Sequence, residues 1–127
     1  MKIVMREIKF RGYNRKNNVW LYGFYLQNRG AHFIAPDEFA DGKSWDDYEI
    51  DPATLGQYTG LHDRNGREIY EGDILHDHFC NNRYVVYFDG GSFDVMSTLD
   101  KSGNYLSDVL GDIEIIGNIH DNPELMK

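Results

Sequence analysis

Apolar and polar positions alternate along most of this chain, with frequent interruptions by turn-forming residues. Residues 5–13 place Met5, Glu7, Lys9 and Arg11 on one side and Arg6, Ile8, Phe10 and Gly12 on the other. That is the pattern of a half-buried strand whose polar face carries the basic side chains. Asn14-Arg15-Lys16-Asn17-Asn18 is turn chemistry. Residues 19–26, with Trp20, Tyr22, Phe24 and Tyr25, then read as the returning arm of a hairpin. Asn28-Arg29-Gly30 predicts a turn and residues 32–35 a short strand, while residues 36–48 read as an acidic loop or a single helical turn. Residues 48–51 are extended because Pro52 follows. Asp51 as cap and Pro52 at the first helical position predict one helical turn over residues 51–55.

The densest turn signal lies in residues 57–75. Asp63-Arg64-Asn65-Gly66 supplies a side-chain acceptor and then a glycine where positive φ is needed, so residues 58–61 should fold back on 67–70. Glu71-Gly72-Asp73 is a second reversal. Strands are expected at 74–79, 83–88 and 92–96, joined by Cys80-Asn81-Asn82 and Asp89-Gly90-Gly91. Residues 113–119 form the most apolar strand, expected to be central, and Asn122-Pro123-Glu124-Leu125 closes the chain as a capped turn or short helix. About eight short strands predict a mainly β fold, a compact antiparallel barrel-like or sandwich domain with at most short helical turns. A Gly-Asp reversal leading into a strand meander is similar to SH3-like barrels.

Gln57-Tyr58-Thr59-Gly60-Leu61, Asp63 with Asn65-Gly66, and Glu68-Ile69-Tyr70-Glu71-Gly72-Asp73-Ile74 resemble the hallmark segment of the YopX family. Ile8-Lys9-Phe10-Arg11 near the start agrees, as do Ile115-Ile116-Gly117-Asn118-Ile119 and Asn122-Pro123-Glu124-Leu125 near the end. The resemblance implies a small protein of the kind carried by phages and prophages of bacteria. It brings no established activity and no catalytic residues to map.

Composition narrows the class. A chain of 127 residues is expected to form one domain, spanning residues 1–127, with enough length to bury a core. Its 41% hydrophobic and 14% aromatic content exclude disorder. No apolar run reaches the roughly 20 residues of a membrane span, and residues 1–5 are too short for a signal peptide. A single cysteine excludes an intrachain disulfide and is compatible with a bacterial cytoplasm. The net charge of −8 is uneven: residues 1–29 hold seven Lys/Arg against one acid, and residues 30–127 hold six against twenty. Complementary ends of this kind can pair within one chain or between copies, which makes a homo-oligomer the expected state.

Three constellations could carry chemistry. On a strand, His76, His78 and Cys80 would share a face and offer a metal three ligands of suitable kind. No second ligand pair accompanies them, so polar strand-end residues are the expected reading, with no cofactor. Asp63, Asn65, Glu68 and Glu71 echo a calcium loop, but the glycine falls two positions early and a hairpin turn accounts for them. Lys9, Arg11, Tyr13, Arg15, Lys16, Trp20 and Tyr22 combine cations with aromatic platforms, as a single-stranded nucleic-acid site requires. Strand alternation instead assigns the aromatics to a core and the charges to its solvated reverse. The acid-rich remainder of the chain would repel a polyanion. The expectation is a non-catalytic module that binds its own copies or a host or phage protein, with nucleic-acid binding as the alternative and no membrane partner.

Overall fold

The computed structural model describes residues 6–126, so the reading of residues 1–5 as too short for a signal peptide, and the place of Met5 on the first strand, lie outside it. Strand pairing gives two antiparallel five-stranded sheets, ordered β3-β2-β1-β4-β5 and β10-β6-β7-β8-β9. Neither sheet closes on itself, so the mainly β class holds while the barrel, including its SH3-like form, is not made. By contacts the chain divides into two compact units that meet in sequence between Tyr58 and Thr59.

In the first unit, β1 (Phe10–Asn14) and β2 (Val19–Asn28) form the expected hairpin, with Tyr13 opposite Trp20 and Asn14 opposite Val19. β3 (Ala31–Ala35) pairs with β2, and its outer side is closed by the chain at 48–50. There the Ile34 amide donates to the Tyr48 carbonyl at 3.0 Å and the Ile50 amide to the His32 carbonyl at 2.9 Å. Phe33, Ile34, Ala35, Tyr48, Ile50 and Tyr58 are buried. Two expectations fail here. Residues 6–9 join no strand, and Ile8 is exposed. Arg11, assigned to the solvated face, is buried with its guanidinium 4.9 Å from the Trp20 ring centre, since a planar, weakly hydrated cation can lie on an aromatic face.

The predicted helical turn over residues 51–55 is instead the start of β4 (Asp51–His62). The Asp-Pro signal is real but is spent on a bulge. Asp51 Oδ1 accepts the Ala53 amide at 3.0 Å, and the Thr54 hydroxyl donates to the Asp51 carbonyl at 2.6 Å. The same hydroxyl accepts the Tyr13 amide at 2.8 Å, replacing a ladder bond where the β1–β4 register shifts.

In the second unit the end of β4 pairs with β5 (Glu68–Tyr70), and the meander β6 (Asp73–Asp77), β7 (Asn82–Asp89) and β8 (Ser92–Ser97) follows as expected. Gly66 and Gly72 have φ of 79° and 88°, as their turns demand. A short strand absent from the sequence reading, β9 (Gly103–Tyr105), pairs antiparallel with β8. The core comprises Ile69, Leu75, Tyr84, Val86, Val95, Leu106 and Ile113.

β10 (Ile113–Asn118) is an edge strand, not the expected central one; β7 holds the centre. Its apolar content misled because its outer edge is covered by the hallmark turn rather than by a further strand. The Arg64 amide donates to the Ile113 carbonyl at 2.8 Å, the Ile115 amide donates to Asp63 Oδ2 at 3.0 Å, and the Arg67 guanidinium donates to the Ile115 carbonyl. Asp63 Oδ1 meanwhile accepts the Asn65 and Arg67 amides, both at 2.9 Å. Burial pushes the Asp63 carboxyl pKa up, but the amides of Ile115, Arg67 and Asn65 and the Arg67 charge outweigh it and hold it below the ordinary value.

Asp63→Asn should therefore cost about 1–3 kcal/mol in denaturant unfolding near neutral pH, because an amide nitrogen would face an N–H donor. A lowered folded pKa stabilises above the unfolded value of about 3.9 and ceases to do so as pH falls through the folded one. The gap between wild type and variant should narrow below about pH 4.

Candidate functional site

The basic hairpin does not stand free. Asn14, at the end of β1, is almost wholly buried, and its amide donates to the carbonyls of Asp46 at 3.1 Å and Glu49 at 2.7 Å. Its Oδ1 accepts the Asn17 amide at 2.8 Å, which shapes the turn. The acidic segment at 46–51 is thus held against the hairpin tip, where it meets the cations. Lys16 Nζ lies 3.1 Å from Asp46 and 2.9 Å from Asp47, and Arg15 pairs with Asp51 Oδ2, with Nε at 3.1 Å.

Asp47 also accepts the Ser44 amide at 2.9 Å and the Asn17 side-chain amide at 2.9 Å. These bonds, with that of Lys16, drive its pKa far below the carboxylate range. The Ser44 hydroxyl and Lys16 lower Asp46, and the two carboxylates raise the pKa of Lys16. Between them the chain leaves a polar hollow of about 510 Å³ lined by Asn14, Arg15, Lys16, Asp46, Glu49 and Asp51, among others. On its wall Arg15 and Asp51, and Lys16 and Asp46, stand as opposite charges beside one another.

The rest of the basic, aromatic set is engaged along β1 and β2. Lys9 pairs with Glu7 at 3.0 Å and lies 5.3 Å from the Tyr58 ring centre. Arg11 and Tyr13 both pack on Trp20, the rings of Tyr13 and Trp20 meeting edge-on at 5.5 Å. The structure therefore brings Arg11, Tyr13 and Trp20 together, and Arg15 and Lys16 separately at the tip. The acidic partners Asp46, Asp47 and Asp51 were missing from the sequence reading of this site.

β2 presents a different surface. None of its ten residues is buried, and Tyr22 and Phe24 are 51% and 58% exposed. They flank a hollow of about 380 Å³ that Ile8, Lys9, Gly23, Pro36 and Asp37 help to line. Gly23 is needed there because a Cβ would come within 2.3 Å of the Ala35 carbonyl oxygen.

Comparison with known proteins places this architecture. The profile of the YopX protein family matches residues 9–127. The chain belongs to the YopX family. It is also similar to a solved structure, protein EF1440 from Enterococcus faecalis, at 27% identity over 97% of this chain and 100% of that one, with a TM-score of 0.60. No curated protein matches.

In this YopX chain the His76, His78 and Cys80 set does not share a strand face, because β6 ends at Asp77 and the next residues turn. The two histidine rings meet edge-on at 4.5 Å, and His78 Nε2 lies 2.9 Å from Glu114. The Cys80 thiol donates to Asp77 at 3.1 Å, which raises its pKa. Among the described residues no group of three or more His, Cys, Asp or Glu side chains is placed to hold a metal. No described helix is long and apolar enough to cross a membrane.

Asn14→Ala should unfold about 1–3 kcal/mol more easily, since it removes the buried side chain that donates to the Asp46 and Glu49 carbonyls and accepts the Asn17 amide. Amide exchange at 46–50 should speed up with it; unchanged exchange there would show that the segment is held by other contacts.

Proposed function

We propose that this YopX-family chain is a non-catalytic protein-binding module whose first partner is a second copy of itself, docked through the aromatic face of β2. The observation that carries this reading is a ten-residue aromatic strand with no buried residue, flanked by the exposed side chain of Ile8. Exposed aromatic and apolar groups gathered at a hollow are what interface anchors look like before they are covered.

Charge supports a self-partner. Counted over residues 1–58, basic and acidic side chains number eight each, whereas residues 59–127 hold five and thirteen. Two copies can therefore meet through their neutral units without like-charge repulsion. The same count argues against the alternative of nucleic-acid binding through Lys9, Arg11, Tyr13, Arg15, Lys16 and Trp20. Those cations sit beside their own carboxylates or on aromatic faces, and a polyanion would have to displace them. A host or phage protein is the alternative occupant of the β2 face, in the bacterial cytoplasm of a phage or prophage gene product.

The non-catalytic reading is supported by carboxylates that are already engaged within the chain. Asp63 is bound to backbone amides, Asp77 to the Cys80 thiol, and Glu114 to His78 and Arg64. Light scattering of the untagged protein after size exclusion tests the proposal. An apolar contact should give an assembly that persists at high salt and falls to monomer in the Tyr22→Ser/Phe24→Ser double variant. A monomeric wild type, or an assembly that the double variant leaves intact, would overturn it.

A further inference from the structure

The second unit carries a surface that neither the family nor the β2 face accounts for. Tyr87 on β7 lies opposite Asp94 on β8, and Asp94 lies opposite Tyr105 on β9, so the three side chains form one row across the sheet. Val86 and Val95, which point the other way, belong to the core. With Asp108, from the 3-10 turn Leu106–Asp108 that follows β9, the row lines a groove of about 490 Å³. Gly103 and Asn104 complete it, and among the described residues no basic side chain lines it.

Two details show that the groove is shaped rather than incidental. Gly103 does not have the positive φ that would demand glycine, yet a Cβ there would lie only 3.1 Å from the Tyr87 hydroxyl. Its missing side chain is room for Tyr87. The Ser92 hydroxyl donates to Asp94 Oδ1 at 2.7 Å and orients the carboxylate between the two tyrosine positions.

We propose that this groove binds a lysine or arginine side chain presented by an extended segment of a partner protein. An ammonium or guanidinium group is attracted to tyrosine faces and pairs with carboxylates, so one ligand group satisfies both wall chemistries. The unit around it, with five basic and thirteen acidic side chains, favours the approach of a cationic segment. An extended carrier fits because β9 is the outermost strand of its sheet and borders the groove, leaving an edge along which a peptide can lie. The site is independent of the β2 face.

The test is an NMR titration of the full chain with the blocked peptides acetyl-Gly-Lys-Gly-amide and acetyl-Gly-Arg-Gly-amide, and with the norleucine analogue as neutral control. Amide shifts should concentrate at Tyr87, Asp94, Asn104, Tyr105 and Asp108 for the cationic peptides alone. Tyr105→Ser, at an exposed position, and Asp94→Asn should each weaken binding about fivefold, and Phe24→Ser should leave it unchanged. Shifts spread evenly over the acidic residues of the unit, equal binding of the norleucine peptide, or no shifts would each overturn the proposal. If Asp94→Asn perturbs the fold, the Tyr105→Ser titration decides alone.

Discussion

One carboxylate organises the second unit. Asp63 sits in a hairpin turn, yet it serves three backbone amides, two within its own turn and one on a strand 52 residues further along. A turn that only reversed the chain would need the first two. The third makes the turn a cover for the edge of β10, whose unpaired groups would otherwise face outward as a template for another chain. With the Arg64 amide and the Arg67 guanidinium beside it, the turn does for β10 what an additional strand would do. The hallmark segment therefore has a structural reason for its pattern: Asp for the amides, Gly66 for the positive φ, and Gly72 with Asp73 to launch β6. The Asp73 carboxylate repeats the device on a smaller scale by accepting the Tyr70 amide at 2.8 Å.

The first unit is governed by a second constraint, the neutralisation of the hairpin tip. Lys16 and Arg15 would make an exposed basic turn if the chain ended at β2. Asn14 prevents this by holding the carbonyls of the 46–49 segment, which delivers Asp46, Asp47 and Asp51 to the cations. The ion pairs are exposed and individually worth little. Their consequence is for recognition: the apparent +6 of the first 29 residues is cancelled within the same unit. What that unit exposes is then aromatic surface on β2 rather than a net charge.

Local signals were legible in the sequence and long-range ones were not. The hairpins at 14–18, 63–66 and 89–91 and the meander of β6, β7 and β8 follow from turn residues and alternation within about ten positions. The Asp51-Pro52 pair misled because the same side-chain acceptor that caps a helix also stabilises a bulge, and only the pairing of β1 with β4 distinguishes them. β10 looked central because hydrophobicity reports burial and not strand order. Arg11 was assigned to solvent because alternation cannot foresee that Trp20 on the neighbouring strand offers it a face. The candidate sites failed in the same way. The cations of the hairpin were visible, but their carboxylates lie more than 25 residues away; the Tyr87, Asp94 and Tyr105 row exists only once strand register is known. His76, His78 and Cys80 were the converse case, a local pattern that depended on β6 continuing past Asp77.

The neutral first unit can be probed directly by titrating the wild-type protein into a fluorescently labelled single-stranded oligonucleotide at about 50 mM salt and following anisotropy. Internal neutralisation of the hairpin predicts no saturable binding, even at this low ionic strength. Tight binding that weakens steeply with salt and is lost in Lys16→Ala would contradict it, and would show that the hairpin exchanges Asp46 and Asp47 for phosphates.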